Sequence, residues 1–464
     1  MDSLDQHAAT SLPLAVGIAG LVIWVIIARR ELRGASAAFS FLYIALSARL
    51  LVNFFHQFTT RSVFAGQSIT SLLTVAIIVI GALMFWKSTF RYRQYAWVFA
   101  FSAVLLFSGI YNGEATGTIN ALLRETLFLV ICGLVIRLQT VGGGIDIGRL
   151  LSIFTVPLFY QVASLGLRVT TNTEADGSIS YIGGYVHEGV FSVAMLAGLC
   201  LAVLAPNITW RRQTTYVVIF LVSIFFANYR TAIVAALPIV FAHFALGSGR
   251  GIRSDSMTAL RSLVSISAIV LGAILVIALS QRLADFGTVI GGIGDLIKPP
   301  EAFDSAQRDL LSGRVVLWNT YIFATLDGDL AHMLVGYGPD AWENTFALYA
   351  HNVFVSYIYE VGFLGLAFYC ALVLSFMWVA LRIPDRRRWL VAACHLGFIV
   401  LSTGTMTTVV IEGVIQYAII CGFTVAFYHR SRSAIGARSE PVRMTTIGNF
   451  GEAETRLEAG AVAS

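Results

Sequence analysis

Apolar runs long enough to cross a bilayer recur along nearly the whole chain. Of the 464 residues, 57% are hydrophobic and 12% are charged, whereas soluble domains carry about 25% charged residues. About 20 apolar residues in a helix span the hydrocarbon core of a bilayer. The sequence therefore predicts an all-α polytopic membrane protein with about 12–13 transmembrane helices. The predicted spans lie near residues 12–28, 36–56, 68–86, 95–111, 119–136, 150–167, 186–205, 213–227, 231–247, 260–280, 352–381, 388–402 and 410–428.

Basic residues are concentrated in alternate connections between these spans. The positive-inside rule places such connections in the cytoplasm, with the N-terminus outside and the C-terminus inside. The net charge of +5 is then mainly a topology signal, and no nucleic-acid partner is predicted. The basic residues concerned are Arg29, Arg30, Arg33, Lys87, Arg91, Arg93, Arg137, Arg149, Arg211, Arg212, Arg250, Arg253, Arg261, Arg382, Arg386, Arg387 and Arg388.

The predicted organisation has four parts. Residues 1–280 hold transmembrane helices 1–10, residues 281–351 form a large loop on the outer face, residues 352–430 hold the C-terminal transmembrane helices, and residues 431–464 form a disordered cytoplasmic tail. Within the loop, the spacing of apolar residues predicts one amphipathic helix over 305–326 and a second short helix over 340–350. The loop is therefore predicted to be a small helical cap on the outer membrane surface.

Charged residues within the spans lie near the outer face. Such residues are costly in a membrane and mark candidate functional sites. Their position favours a polar pocket open to the outer face over a path across the membrane. The residues are Arg49, Arg124, Glu125 and Glu188 within spans, Arg230 at the mouth of a span, Arg314 and His351 from the loop, and Glu360 about two turns into the next span.

These residue types suit a phosphate-bearing lipid substrate. Arginine stays protonated and presents a planar fork that matches phosphate oxygens, so two or three arginines in one pocket predict a diphosphate clamp. The alternative is that each arginine is a positional or snorkelling residue. His351 is a candidate proton acceptor, since a neutral imidazole can take a proton near pH 7, or else a hydrogen-bonded interfacial residue. His187 and Glu188 carry a weaker version of the same argument.

No cofactor or metal site is predicted. Asp327 and Asp329 form a weak candidate metal pair with no third ligand nearby, and a turn at a helix end explains them equally well. The loop at 57–67 contains no carboxylate. The five cysteines all fall within predicted spans without metal-ligand spacing and are interpreted as core residues.

An ordered set of short motifs resembles the O-antigen ligase and polymerase superfamily. The motifs are Asn228-Tyr229-Arg230-Thr231-Ala232, Gly313-Arg314 followed by Trp318, Gly336-Tyr337-Gly338, His351-Asn352 and Glu360-Val361-Gly362. They cover about 150 residues from 228 to 365, whereas the N-terminal half matches only in hydropathy.

The resemblance implies a metal-independent inverting glycosyltransferase of the bacterial inner membrane with its active site facing the periplasm. The donor would be a glycan on undecaprenyl diphosphate, and the acceptor a second glycan or lipid A core. His351 would accept the proton of the acceptor hydroxyl, and Arg230 and Arg314 would stabilise the departing diphosphate. Other candidate substrate-binding residues are Arg124, Arg49, His187, Glu188, Asn352, Glu360, Trp318 and Tyr337. Membrane lipid and a chain-length regulator are further candidate partners.

Several functions remain open at this point. Within the family, a polymerase is favoured over an O-antigen ligase because polymerases also make exopolysaccharide. A transporter of lipid-linked oligosaccharide would be expected to show internal repeats, broken helices in pairs and charges at the membrane midplane, and none stands out. A non-catalytic assembly subunit is a further alternative.

Overall fold

A computed structural model describes residues 12–64, 67–141, 147–171, 179–247, 297–308, 310–311 and 313–439, and most of these residues are helical. The α-helices are α1 Leu14–Leu32, α2 Ala37–Phe54, α3 His56–Thr59, α4 Ile69–Phe90, α5 Ala96–Asn112, α6 Ala115–Val141, α7 Thr155–Leu167, α8 Glu188–Leu204, α9 Trp210–Ala227, α10 Arg230–Gly247, α11 Ser305–Arg308, α12 Arg314–Leu326, α13 Leu330–Val335, α14 Trp342–Thr345, α15 Val353–Leu381, α16 Arg387–Ser402 and α17 Ile411–Ser439. Short 3-10 helices cover Arg93–Tyr95, Ile147–Phe154 and Pro300–Ala302. A two-stranded antiparallel hairpin pairs Ser62–Phe64 with Gln67–Ser68.

The helices confirm the predicted fold class. Among the described residues, seven helices are long and apolar enough to cross a membrane, and Glu188–Leu204 and Arg230–Leu246 are shorter apolar helices. Helices occur at twelve of the thirteen predicted positions. The thirteenth, 260–280, lies outside the described residues. The chain is an all-α multi-pass membrane protein.

Helix α17 lies at the centre of the bundle. Its apolar window is 89% buried, against 22% for α4 at the periphery, which is the difference expected between a helix surrounded by protein and one that faces lipid. Small residues allow close helix packing, as is common in membrane bundles. Gly422 of α17 lies against Val135 of α6, and Gly397 of α16 lies against the backbone of Ala235 in α10.

Two glycine-containing segments interlock where the loop meets α15. The helix is broken at Gly362, whose φ is +67° and ψ is −174°, so carbonyls in the preceding turn become available. Tyr337 N–H donates to the carbonyl of Tyr359 (2.9 Å), and Gly338 N–H donates to that of Glu360 (2.8 Å). Gly336, with φ +72° and ψ −169°, packs against the backbone of Glu360. The turn at 336–338 is thereby fixed to the broken helix.

The helices of the loop differ from the predicted ones. The single helix predicted over 305–326 is wrong: α11 and α12 are separated by a turn in which Leu311 (φ +52°) and Gly313 (φ +80°) take left-handed conformations. Such conformations interrupt a right-handed helix. Helix α13 was not predicted, although the Asp329 side chain caps it by accepting from His332 N–H at 2.8 Å.

Two other helices differ less from the predicted bounds. The helix predicted over 340–350 is limited to α14, and an irregular segment leads from it to His351. Helix α17 continues to Ser439, into the region predicted to be a disordered tail, because arginine and alanine extend a helix at little cost. The remainder of that tail, 440–464, lies outside the described residues.

Candidate active site

His351 is held by its neighbours in an unusual backbone conformation. Its φ is +52°, a left-handed region in which histidine, asparagine and aspartate are enriched. On one side, the Trp318 indole N–H donates to the carbonyl of Ala350 at 2.9 Å. On the other, the Asn352 side chain caps α15 by accepting from Phe354 and Val355 N–H at 3.0 and 3.3 Å. Trp318 and Asn352 therefore position His351 through the backbone.

The surroundings of His351 favour the neutral imidazole. Burial is the main cause that lowers its pKa to about 4, and the nearby Arg314 and His187 side chains lower it further. The Tyr349 ring packs on the imidazole with 4.0 Å between ring centroids. At pH 7 a ring nitrogen is thus unprotonated and able to accept a proton.

Arg314 begins α12 and faces the same group of residues. Its charge acts on His351, on Tyr349 and on Tyr229. Tyr229 is buried, and its hydroxyl donates to the carbonyl of Gly404 at 2.9 Å. A permanent cation therefore lies within electrostatic reach of a neutral base and of two tyrosines.

His187 and Glu188 lie next to the same group of residues. His187 caps α8 by accepting from Gly189 N–H at 2.9 Å, and its Nε2 lies 3.5 Å from Glu188 Oε1. The ring of His187 is 6.5 Å from that of Tyr229. The group His187, Glu188, Tyr229, Arg314, Tyr349 and His351 is called the His351 cluster below.

Arg230 begins α10, directly after Tyr229. Asn228 ends α9 in a left-handed conformation (φ +55°), which turns the chain sharply between the two helices. This turn places the start of α10 at the same end of the bundle as the His351 cluster. The motif Asn228-Tyr229-Arg230 therefore supplies one residue of the cluster and a second arginine next to it in the chain.

Arg124 and Glu360 belong to an adjacent polar network. Arg124 forms an ion pair with Asp340 at 3.1 Å, and Glu360 accepts from the Asp340 N–H at 3.0 Å and from the Ser356 hydroxyl. Ser108 donates from α5 to the carbonyls of Val335 and Glu360, at 2.5 and 3.1 Å. The network joins α5, α6 and α15 to the loop that carries the cluster.

Tyr337 lies where the loop meets α15, outside the His351 cluster. Its ring stacks between His332 and Tyr359, with centroids 4.5 and 4.7 Å away. Its hydroxyl donates to the carbonyl of Ala324 at 3.2 Å. These contacts give Tyr337 a role in fixing the loop to α12 and α15.

Arg49 lies in a separate buried ion pair. It contacts Glu412 at 3.2 Å, and both side chains are 4% exposed. Asn53 donates to the same carboxylate oxygen at 2.7 Å. Glu125 also lies apart from the His351 cluster, where it lines a small cavity with Thr407 and Thr408. The structure thus separates these two predicted residues from the cluster.

No group of three or more His, Cys, Asp or Glu side chains that could hold a metal ion occurs in the part of the chain that the structure describes. Asp327 ends α12 and Asp329 caps α13. Both residues therefore have the helix-end role that was given above as the alternative to metal binding.

The proximity of Tyr229 and Tyr349 to the cluster was not predicted. The available signal was that Tyr229 precedes Arg230 within one predicted motif and that Tyr349 lies two positions before His351.

Residues 215–370, about a third of the chain, match the family model described as O-Antigen ligase. This match supports the resemblance of residues 215–370 to the O-antigen ligase/polymerase superfamily. The matched segment contains Tyr229, Arg230, Arg314, Tyr349 and His351, while His187 and Glu188 lie outside it. No curated protein matches the chain. Together with the multi-pass helical fold, the match supports a membrane enzyme of polysaccharide biosynthesis that acts on lipid-linked glycans.

Proposed function

We propose that the chain is a metal-independent inverting glycosyltransferase that polymerises polyprenyl-diphosphate-linked oligosaccharide repeat units at the periplasmic face of the inner membrane. One observation carries the proposal: the neutral imidazole of His351 lies in the same cluster as the guanidinium of Arg314. The reaction needs a proton acceptor for the attacking hydroxyl and a positive charge for the leaving diphosphate. The cluster supplies both.

The chemistry then follows from these two groups. The acceptor hydroxyl oxygen attacks the anomeric carbon of the donor, and a new glycosidic bond forms as the bond to the diphosphate oxygen breaks. The hydroxyl proton passes to His351, and the electron pair leaves with the polyprenyl diphosphate. Attack from the face opposite the diphosphate inverts the anomeric centre.

Arginine performs the task that a metal ion performs in other transferases. Arg314 stabilises the negative charge that grows on the leaving diphosphate, and Arg230 is assigned the same role from the start of α10. His187 and Glu188 belong to the same cluster and are assigned to binding the sugar hydroxyls. Arg124 and Glu360 position the loop through Asp340.

The alternative is transfer of the finished glycan to lipid A core. The description of the matched family model as an O-antigen ligase favours it. The two reactions share the donor, the leaving group and the roles of His351 and Arg314. They differ only in the acceptor, so the products left in the membrane distinguish them.

The test is to delete the gene and profile polyprenyl-diphosphate-linked glycans by mass spectrometry, with a His351→Asn strain alongside. We expect single repeat units to accumulate on the carrier in both strains. Long lipid-linked chains in both strains would instead assign the ligase reaction. An unchanged carrier pool, or a His351→Asn strain that matches the wild type, would contradict the glycosyltransferase proposal and favour transport.

The pH dependence of the reaction should reflect the environment of His351. Because the pKa of its imidazole is lowered to about 4, the neutral form persists well below the ordinary value of about 6.5. We expect kcat/KM, which reports the free enzyme, to stay level from pH 7 to about pH 5 and to fall with a midpoint near pH 4. Initial rates of purified enzyme on lipid-linked repeat units measure this. An acidic midpoint near pH 6.5 would show that the base is another group or that His351 is solvated.

A further inference from the structure

A pocket with a polar lining lies at the opposite end of the bundle from the His351 cluster. Its cavity has a volume of about 1050 Å³ and is lined by residues from the start of α5 and the ends of α6, α15 and α17. Arg124 lies toward the other end of α6, and the helix break at Gly362 lies toward the other end of α15. The pocket is therefore separated from the candidate active site by the length of these helices.

The pocket is strongly basic. Its lining includes four exposed arginines and no carboxylate: Arg91, Arg93, Arg382 and Arg432. Within the described ranges, none of these four guanidinium groups has a carboxylate within ion-pair distance. Four like charges around one cavity repel one another unless an anion lies between them.

Aromatic and apolar groups border the basic residues on the side of the bilayer. Trp97 and Trp378 line the pocket and are 42% and 57% exposed, and tryptophan is enriched where headgroups meet the hydrocarbon core. The Arg382 guanidinium lies 4.5 Å from the Trp378 ring centroid. Leu374, 61% exposed, continues the apolar surface along α15. The ligand that fits this border has a charged head and an apolar tail.

A buried acceptor completes the pocket. Gln94 and His429 make a side-chain contact at 3.4 Å between their nitrogen atoms. The Gln94 amide oxygen is buried and has no hydrogen-bond partner among the described residues. Gln94 lines the pocket, and a rotation of its side chain would present this acceptor to a hydroxyl or ammonium group next to a phosphate, both of which occur in phospholipid headgroups.

We propose that this pocket binds the headgroup of an anionic phospholipid. The four arginines contact the phosphate, Gln94 accepts from the polar head beyond it, and the acyl chains lie along the exposed apolar surface of α5 and α15. Basic pockets between transmembrane helices are suited to anionic headgroups. The site is independent of the glycosyltransferase proposal, since it uses none of the residues of the His351 cluster.

Lipid binding to the full-length protein tests this directly. The protein is placed in phosphatidylcholine nanodiscs that contain a graded fraction of phosphatidylglycerol, and the lipids retained on release are counted by native mass spectrometry. We expect selective retention of phosphatidylglycerol. Each arginine near a membrane surface contributes a factor of roughly five in affinity, so Arg382→Gln/Arg432→Gln should bind about twenty-five-fold more weakly.

Two control variants separate a pocket from a basic surface. Arg211→Gln/Arg212→Gln removes two exposed arginines outside the pocket, one of which lies over Tyr216 as Arg382 lies over Trp378, and should leave the affinity unchanged. Thr140→Trp keeps every charge but fills part of the cavity, and should weaken binding. All variants are required to match the wild-type melting temperature in pure phosphatidylcholine.

Three results would overturn the proposal. Equal losses in the two arginine pairs would show attraction by surface charge alone. Full binding by Thr140→Trp would place the lipid elsewhere. Displacement of the lipid by millimolar inorganic phosphate would show that the pocket takes a soluble anion instead.

Discussion

Replacing His351 by asparagine should lower the rate of glycan transfer at least about a hundredfold while leaving the protein folded. General bases contribute on the order of 10²–10⁴ in rate. Asparagine accepts the left-handed backbone conformation that His351 adopts, as few other residues do, so the substitution removes the base without straining the turn. A loss of activity in this variant then reports on the imidazole.

Arg314→Gln is expected to have an effect of similar size for a different reason. Removing one preorganised charge stabiliser costs about 10²–10³ in kcat. The measurement is the turnover of purified protein on lipid-linked repeat units, with and without a chelator, because the proposal assigns charge stabilisation to arginine. The matched control is Arg308→Gln, an exposed arginine of the same loop whose guanidinium donates to the backbone carbonyls of Phe303 and Pro300. Activity retained in both His351→Asn and Arg314→Gln would refute the mechanism.

The sequence predicted the membrane architecture well because hydrophobic burial is a property of each segment. Apolar runs alone located helices such as α9 and α16, although the apolar runs predicted there were short. The loop was predicted less well. Its helices are set by single turn residues, Leu311 and Gly313, whose left-handed conformations the hydrophobic pattern over 305–326 did not reveal.

The sequence likewise predicted some residues of the candidate site well and others less well. Arg314, His351 and His187 were predicted from residue type and position at one membrane face, and the structure brings them within electrostatic reach of one another. Arg124 and Arg49 were chosen by the same argument. In the structure they pair with Asp340 and Glu412, which lie 216 and 363 positions away in the chain. Only the fold reveals which arginines already have a carboxylate partner.

The joint between the loop and α15 explains why two of the motifs contain glycine. Gly336 and Gly362 both adopt positive φ with ψ near 180°, a region that is essentially restricted to glycine. A Cβ on Gly336 would overlap the backbone of Glu360 and Val361, and a Cβ on Gly362 would overlap the backbone of Leu334 and Val335. Each glycine therefore permits the close approach of the segment that carries the other.

Gly336→Ala and Gly362→Ala should each prevent most of the protein from accumulating in folded form. The backbone strain alone costs about 1–3 kcal/mol, and the overlap lies with backbone atoms that have little freedom to move. Together these are large compared with a typical folding stability of about 5–15 kcal/mol. The measurement is the yield of monodisperse protein after detergent extraction, followed by its melting temperature.

Two other glycines separate strain from overlap. Gly113 has φ +72° but open space around it, and Gly166 lies within α7 with nothing close to its missing side chain. Gly113→Ala should cost only the roughly 1–2 kcal/mol of a left-handed alanine, and Gly166→Ala should be neutral or slightly stabilising because alanine favours helices. If Gly336→Ala and Gly362→Ala were no worse than Gly113→Ala, the close backbone approach would not be what these motifs preserve. If they are far worse, the joint that holds the His351 loop against α15 depends on both glycines.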